Sequence, residues 1–356
     1  MAYNIYDSDK SGNISIILSP AGQVILQARE MTVNSFTTTD SDQFTLDSDH
    51  FNEVFPPLAG AGGGSNRQGS AFGYVAGGRT PNYTNAIQKF SLSADAGGID
   101  VGDLTQTKAY FGGASSPTNG YTAGGLAPPY TNRIEKFPFA SDDNATDVGD
   151  LTNNAGFTSC NMSLTHGYRN GGRTPSYVNT IDKFSFSVDG NATDVGNLSA
   201  NRGYTSGQSS STHGYVSGGH SPPYVNVIDK YPFASDDNAT DIANILARTI
   251  GTAGAQSSDN GYVMGGFQSP PFVVLNVIQK FPFSSDDNSS DVGDLTVSFV
   301  YRSGSSSTTH GYASGGAPPY IGSNVIEKYP FSVDENATDV GDLYYRAAGA
   351  AGNMQV

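Results

Sequence analysis

Polar and hydrophobic positions repeat along most of the chain with a spacing of 47 or 50 residues. Each repeat opens with Gly-Tyr-x-x-Gly-Gly, passes through a Pro-rich, Tyr-containing loop into Asn-x-Ile-x-Lys-aromatic-x-Phe, and closes with Asp-Val-Gly-Asp-Leu or a variant of it. The opening motif starts at six positions: Gly73, Gly120, Gly167, Gly214, Gly261 and Gly311. Gly, Pro, Asn, Asp and Ser, which favour turns, separate these segments. The pattern therefore predicts six similar units built from short strands.

Within a unit, alternation of apolar and polar residues predicts four β-strands, labelled a to d in chain order. Strand a is small and polar, as in the segment from Gly203. Strands b and c are represented by His213–Gly219 and Val227–Phe233, and strand d by Asp194–Leu198. A period of ~40–50 residues with four strands is typical of one blade of a β-propeller.

The double glycine followed by a third strand with an aromatic residue resembles the kelch repeat, over residues 67–356. The chain departs from kelch because it contains no Trp, and Val and Leu of strand d are expected to fill the space of the usual Trp. The resemblance implies an all-β fold with a six-bladed kelch-like β-propeller, preceded by a small β-rich N-terminal segment.

The repeat register also predicts how a ring of blades closes. Nine residues after the last apolar residue of strand d, successive units carry Gly113, Cys160, Gly207, Gly254, Gly304 and, after Leu343, Gly352. The tail from Asn353 matches the segment from Asn161 in register. We therefore expect residues 346–356 to supply the innermost strand of the first blade, which removes exposed sheet edges. Cys160 is expected to occupy a small-residue slot near the channel as an inert thiol.

Residues 1–58 lie outside the repeat, and their alternating segments predict further strands. Fewer than ~60 residues form a marginal core alone, so this segment is predicted to anchor the chain or to drive its oligomerisation. Residues 59–66 are Gly-rich and indicate a flexible linker.

Charge and composition narrow the functional classes. The chain carries 33 acidic against 18 basic residues, a net charge of −15, which argues against nucleic acid as a partner. A single cysteine excludes a disulfide framework and a Cys-rich metal site. No apolar run approaches the ~20 residues of a membrane span, and the N-terminus lacks the features of a secretory signal.

The candidate binding residues lie in the b–c loops, which a meander places on the same face as the d–a loops. These loops carry aromatic residues, most of them after prolines: Tyr83, Tyr130, Tyr177, Tyr224, Phe272 and Tyr320. The fifth loop is three residues longer and adds Val273, Val274 and Leu275. Basic residues and one histidine join them on this side: Arg79, Arg173, His220, Lys108, Arg202, Arg248, Arg302 and Arg346. Such a face suits sugars or protein surfaces, and the alternative is that the rings pack between blades.

The opposite face is expected to carry the acidic c–d loops, such as Asp142–Asp147. Their oxygens suit Ca²⁺, but Asp and Asn are more simply turn formers here, and no metal or cofactor is predicted. One Lys of strand c and one Asp of strand d recur in every unit and predict an ion pair across each c–d hairpin. No unit deviates as an active site would require, so we expect no enzymatic activity.

Near-identical, acidic, cysteine-poor units behind a small β-rich segment are similar to bacteriophage tail-fibre and other virion structural proteins. That resemblance implies a non-enzymatic virion protein that contacts other virion proteins through residues 1–58 and binds a partner protein or a host-surface glycan through its b–c loops. Homo-oligomer formation stays open. The alternatives are a cytoplasmic kelch-type adaptor and, less favoured, a glycan-active enzyme.

Overall fold

The computed structural model describes residues 68–317 and 322–355, which belong to a compact unit spanning Ser65–Val356. The described residues form β-strands and no helix, which confirms the all-β class. Within this part of the chain there is accordingly no helix of the length and apolarity that a membrane span needs. The N-terminal segment 1–58 and the linker 59–66 lie outside the described residues.

The first three antiparallel sheets have four strands each, numbered in chain order. Sheet 1 has the order β27 (Ala351–Met354), β1 (Phe72–Thr80), β2 (Asn82–Ser91), β3 (Ile99–Asp103). Sheet 2 has the order β4 (Gly112–Ser115), β5 (Asn119–Ala123), β6 (Arg133–Pro138), β7 (Thr146–Asp150). Sheet 3 has the order β8 (Ser159–Met162), β9 (His166–Thr174), β10 (Ser176–Ser185), β11 (Thr193–Asn197).

The remaining units repeat this arrangement, with one small additional sheet. Sheet 4 has the order β12 (Ser206–Ser209), β13 (His213–Ser217), β14 (Val227–Pro232), β15 (Thr240–Asn244). Sheet 5 has the order β17 (Ala253–Gln256), β18 (Asn260–Met264), β21 (Val277–Pro282), β22 (Ser290–Asp294). Sheet 6 has the order β23 (Ser303–Ser306), β24 (His310–Ser314), β25 (Ser323–Pro330), β26 (Thr338–Ala347). A three-stranded sheet contains β16 (Thr249–Ile250), β19 (Phe267–Gln268) and β20 (Val273–Val274).

Sheet 1 alone takes its first strand from the C-terminus. Strand β27 pairs with β1 in antiparallel fashion, with Met354 opposite Gly73 and Ala351 opposite Ala76. The first strands of the six sheets contact one another in succession, and β27 contacts both β23 of sheet 6 and β4 of sheet 2. The contacts between sheets therefore run from each sheet to the next and return from the sixth to the first.

Aromatic side chains fill the space between neighbouring sheets. Tyr121 of sheet 2 packs against Phe184 and Phe186 of sheet 3, with ring centroids 5.8 and 4.8 Å apart. The closing contact joins Tyr312 of sheet 6 to Phe90 of sheet 1, at 5.8 Å. All of these rings except the half-buried Phe186 are buried, so the core lies between the sheets.

The predicted Lys–Asp pair across each c–d hairpin is wrong. Each strand-c lysine instead pairs with an aspartate in the c–d loop of the next sheet: Lys89–Asp142, Lys136–Asp189, Lys183–Asp236, Lys230–Asp286, Lys280–Asp334 and Lys328–Asp95. The strand-d aspartate instead accepts a hydrogen bond from its own backbone, as Asp194 does from the Gly196 amide. The acidic loops thus join adjacent sheets, each exposed pair contributing at most about 1 kcal/mol. The described residues contain no cluster of three or more His, Cys, Asp or Glu suited to a metal ion.

Candidate functional site

The six d–a turns meet around the first strands of the sheets. At one repeat position the backbone is left-handed, with φ between 57° and 65° at every member: Tyr110, Phe157, Tyr204, Gly251, Tyr301 and Gly349. Each amide donates a hydrogen bond to the carbonyl oxygen of the equivalent residue in the preceding turn, over 2.5–3.1 Å. Because Tyr110 donates to Gly349, the six hydrogen bonds form a closed cycle.

Four aromatic residues occupy positions where glycine also fits. A left-handed backbone costs a residue with a Cβ atom about 1–2 kcal/mol, a cost that Gly251 and Gly349 avoid. The rings contact one another in sequence, with centroid distances of 4.1 Å for Phe157–Tyr204 and 4.7 Å for Tyr110–Phe157. A Cβ atom on Gly349 would lie 2.5 Å from the Tyr110 ring. We call the four residues Tyr110, Phe157, Tyr204 and Tyr301 the aromatic cup.

The cup lines a shallow depression of about 70 Å³ above the channel between the first strands. Pockets that engulf small ligands usually measure about 300–1,000 Å³, so the geometry favours contact across the face over burial of a ligand. Cys160 lies deeper, in β8, at the repeat position that glycine holds in the other first strands. Burial raises the pKa of its thiol to about 12, so the sulfur stays protonated at neutral pH.

The predicted loop aromatics surround the cup. The Tyr130 ring lies edge-on to Phe157 at 6.4 Å, and the Tyr177 ring lies 6.5 Å from Tyr204. The Tyr177 hydroxyl is 2.6 Å from Nδ1 of His220, whose ring is perpendicular to Tyr224 at 4.8 Å. These side chains are half-buried.

The longer fifth loop supplies two strands of the small three-stranded sheet, in which β19 pairs with β20 and with β16 of the preceding d–a segment. Phe272 is 78% exposed, the most exposed large hydrophobic side chain among the described residues, and Val273 beside it is also exposed. The Phe272 ring lies 6.1 Å from Phe267, which lies 6.3 Å from Tyr224. Val274 is half-buried in β20, and Leu275 donates its amide hydrogen to the Gly266 carbonyl oxygen.

The structure therefore joins Tyr130, Tyr177, Tyr224 and Phe272 through the cup and His220 into one aromatic face. Tyr83 lies beside Arg79, whose guanidinium carbon is 5.7 Å from the ring centroid. Tyr320 lies outside the described residues. The loop aromatics also contact neighbouring units, as Tyr177 does with His220 and Tyr224 with Phe267, so packing between sheets and contact with a ligand both stay predictions for them.

Three of the basic residues expected on this face are buried beneath it. Lys108 pairs with Glu135 at 2.5 Å, Arg202 with Asp229 at 3.1 Å, and Arg302 with Glu327. A fourth buried pair, Arg169–Asp182, belongs to sheet 3. Since each cation is sequestered with a carboxylate, the expectation that Lys108, Arg202 and Arg302 contact a ligand is wrong.

Burial alone would raise the pKa of the Glu135 carboxyl. Lys108 and the hydrogen bonds from Thr105 outweigh this effect and hold that pKa below its ordinary value. Glu135 is therefore an ionised structural acceptor, with no proton to donate in a reaction.

The sequence interpretation missed the aromatic cup, because it placed Tyr204 inside the polar strand a from Gly203, whereas the observed strand begins at Ser206. A signal was present: one repeat position carries only aromatic residues or glycine, a combination that indicates a left-handed backbone. No protein-family model matches the chain, and the search of curated proteins likewise finds no match.

Proposed function

We propose that the six four-stranded sheets are the blades of a kelch-like β-propeller in a non-enzymatic virion structural protein, a bacteriophage tail fibre or other appendage. The proposed propeller is supported by contacts that run through all six sheets, by the pairing of β27 with β1, and by the closed cycle of six backbone hydrogen bonds. Closing a ring in this way leaves each sheet protected by its neighbours.

We infer that the aromatic face is the surface that binds the host. The observation that carries this inference is the aromatic cup, since four aromatic residues are kept in a strained backbone where two equivalent positions use glycine. Strained residues that cluster at one place are a feature of functional sites. Rigid aromatic side chains also lose little entropy on binding, which favours them as contact residues.

The chemistry of the face supports binding without catalysis. Burial is the main cause that raises the pKa of Tyr204 to about 12 and the pKa of Tyr301 further still. Burial and the nearby Arg173 lower the pKa of His220. At neutral pH the phenols are therefore protonated and the imidazole is uncharged, which suits them to hydrogen bonding.

The test compares the binding of purified full chains to host cells. Tyr204→Gly/Tyr301→Gly removes two of the four cup side chains and introduces glycine, the residue found at the equivalent positions 251 and 349. The fold is therefore expected to survive. We expect binding to fall about tenfold or more, as for removal of a contact hot spot. The matched control, Asp142→Asn/Asp236→Asn, changes two residues of the acidic loops and is expected to bind like the unmodified chain.

Circular dichroism must show that the variants keep the β-sheet spectrum. Equal binding by the cup variant and the unmodified chain would overturn the proposal. Loss of binding only in the acidic-loop variant would assign the opposite face.

A further inference from the structure

The charges of this acidic chain are segregated between its two sets of loops. The segments that join strands b to c or d to a contain no Asp or Glu in any of the six units: 79–85, 104–111, 126–132, 151–158, 173–179, 198–205, 220–226, 245–252, 267–276, 295–302, 317–322 and 343–350. The other loops carry the acidic runs. A net charge of −15 therefore coexists with one set of loops that is free of carboxylates.

The Lys and Arg side chains of the described residues are also divided between the two sets of loops, according to whether they have a carboxylate partner. Eleven Lys or Arg side chains form ion pairs with carboxylates, and four arginines do not: Arg79, Arg173, Arg248 and Arg346. All four are exposed, and all four lie in the carboxylate-free segments. Among the described residues, the Lys and Arg side chains without a carboxylate partner are thus confined to the loops on the side of the aromatic cup.

Two of these arginines belong to a duplicated sequence element. Arg79-Thr-Pro-Asn-Tyr83 and Arg173-Thr-Pro-Ser-Tyr177 close the long hairpins β1–β2 and β9–β10. In both, the arginine and tyrosine are opposite each other in the strand pairing, and the guanidinium carbon lies 5.7 or 5.8 Å from the ring centroid. Each arginine is held further by a hydrogen bond from Nε to the carbonyl oxygen of the proline two residues on.

We infer that the face binds an anionic glycan, an inference that rests on the proposed function and names its ligand class. The acidic groups of the glycan, carboxylate or sulfate, pair with Arg79 and Arg173, because a guanidinium presents donors in a fork that matches an oxyanion. The sugar rings lie on Tyr83, Tyr177 and the cup, whose ring faces are apolar and whose hydroxyls form hydrogen bonds.

The geometry favours a polymer of repeating sugars over other polyanions. The duplicated arginine–tyrosine hairpins sit on sheets 1 and 3, so one ligand group that recurs along a chain meets the same pair of side chains twice. The depression of about 70 Å³ accommodates a chain that crosses the face and gives no enclosed pocket for a chain end. The acidic loops elsewhere on the molecule repel a nucleic acid that follows the surface beyond this face.

The experiment measures binding of the full chain to four immobilised polymers by biolayer interferometry. Polygalacturonate presents carboxylates on sugars and dextran sulfate presents sulfates, so these two distinguish the source of the anion. Neutral dextran lacks the charge, and poly-L-glutamate has the charge without the sugar. We expect affinity for at least one anionic glycan to exceed that for dextran and for polyglutamate about tenfold, and to fall when NaCl rises from about 50 to about 300 mM.

Arg79→Gln/Arg173→Gln should weaken binding to that glycan about tenfold or more. Lys136→Gln/Lys183→Gln removes the same charge from inter-sheet ion pairs with Asp189 and Asp236, and should change the affinity less than twofold because those exposed pairs contribute little. The melting temperatures of both variants serve as the check on folding.

Each remaining outcome contradicts a defined part of the account. Equal affinity for neutral dextran, or no effect of the arginine substitutions, overturns the anionic ligand. Equal affinity for polyglutamate replaces the glycan with an acidic protein partner. Binding to none of the polymers, together with cell binding that still depends on Tyr204 and Tyr301, overturns this inference and leaves the proposed function in place. Cell binding that is unchanged by Tyr204→Gly/Tyr301→Gly overturns the proposed function itself.

Discussion

At the scale of single residues, one strand-c position shows how the chain balances buried charge. Its side-chain oxygen accepts the hydrogen of a backbone amide from the preceding sheet at all six places: Gln88, Glu135, Asp182, Asp229, Gln279 and Glu327. The four carboxylates each have a buried Lys or Arg partner, whereas the two glutamines have none among the described residues. The acceptor is therefore constant, and a cation accompanies it only where the acceptor is charged.

This covariation predicts the effect of Glu135→Gln. The amide oxygen can still accept from Thr105, but Lys108 is left buried without its counterion, which should cost about 3–5 kcal/mol of unfolding free energy. Adding Lys108→Met should restore stability to within about 2 kcal/mol, because the double variant reproduces the uncharged arrangement around Gln88 and Gln279. Urea unfolding measures the unfolding free energy of both variants. A smaller loss of unfolding free energy in the single variant than in the double variant would contradict the pairing argument.

Three histidines predict how stability depends on pH. The pKa values of His166, His213 and His310 lie below the ordinary value of 6.5. Burial is the largest cause, and the positive charge of a neighbouring lysine is the second. The folded state therefore prefers neutral imidazole. These histidines therefore contribute their full stabilisation of the fold at pH values above the unfolded-state pKa. The contribution is lost as the pH falls through 6.5 towards the lower pKa values of the folded state.

We expect the melting temperature to fall between about pH 7.5 and about pH 5.5, a range in which most carboxylates stay ionised. Replacing the three histidines by Asn, which Asn119 and Asn260 provide at the same position, should flatten most of this dependence. Scanning calorimetry of both proteins across this pH range measures the melting temperatures. Identical pH profiles for the two proteins would rule out these histidines as the cause.

At the scale of secondary-structure elements, the strands were predictable because their signals are local. Alternation predicted strand c as Val227–Phe233 and strand d as Asp194–Leu198, against observed strands of Val227–Pro232 and Thr193–Asn197. The partner of the strand-c lysines was not predictable in the same way. Within one unit the nearest aspartate follows in the hairpin, whereas the true partner comes from the next sheet and depends on how sheets stack.

The C-terminal strand provides the clearest prediction at this scale. Deleting residues 346–356 removes β27 from sheet 1 and Gly349 from the hydrogen-bond cycle, leaving the edge of β1 unpaired. We expect the melting temperature to fall by about 10 °C or more, together with self-association through the exposed edge.

The control for this deletion lies in the adjoining strand. Tyr344→Ser/Tyr345→Ser changes two side chains that are 62% and 43% exposed, and should leave the melting temperature within about 2 °C of the unmodified chain. A deletion that melts and sediments like the full chain would show that β27 adds nothing to closure.

At the scale of the whole molecule, repetition in the sequence predicted the architecture and the aromatic b–c loops, and a departure from repetition predicted the exposed fifth loop. The structure connects four of these loop residues, Tyr130, Tyr177, Tyr224 and Phe272. The assembled cup and the burial of Lys108, Arg202 and Arg302 were not predicted from the sequence. Both depend on backbone conformation and burial where six turns converge, which no single repeat specifies.

Electron cryomicroscopy of intact particles that contain this chain tests the central proposal most directly, because it locates the chain and its exposed face together. We predict disc-shaped density with six blades on an appendage, oriented so that Tyr204, Tyr301 and Phe272 face outward and away from the particle. Particles that lack this density, or that bury the aromatic face against another virion protein, would contradict a host-binding propeller.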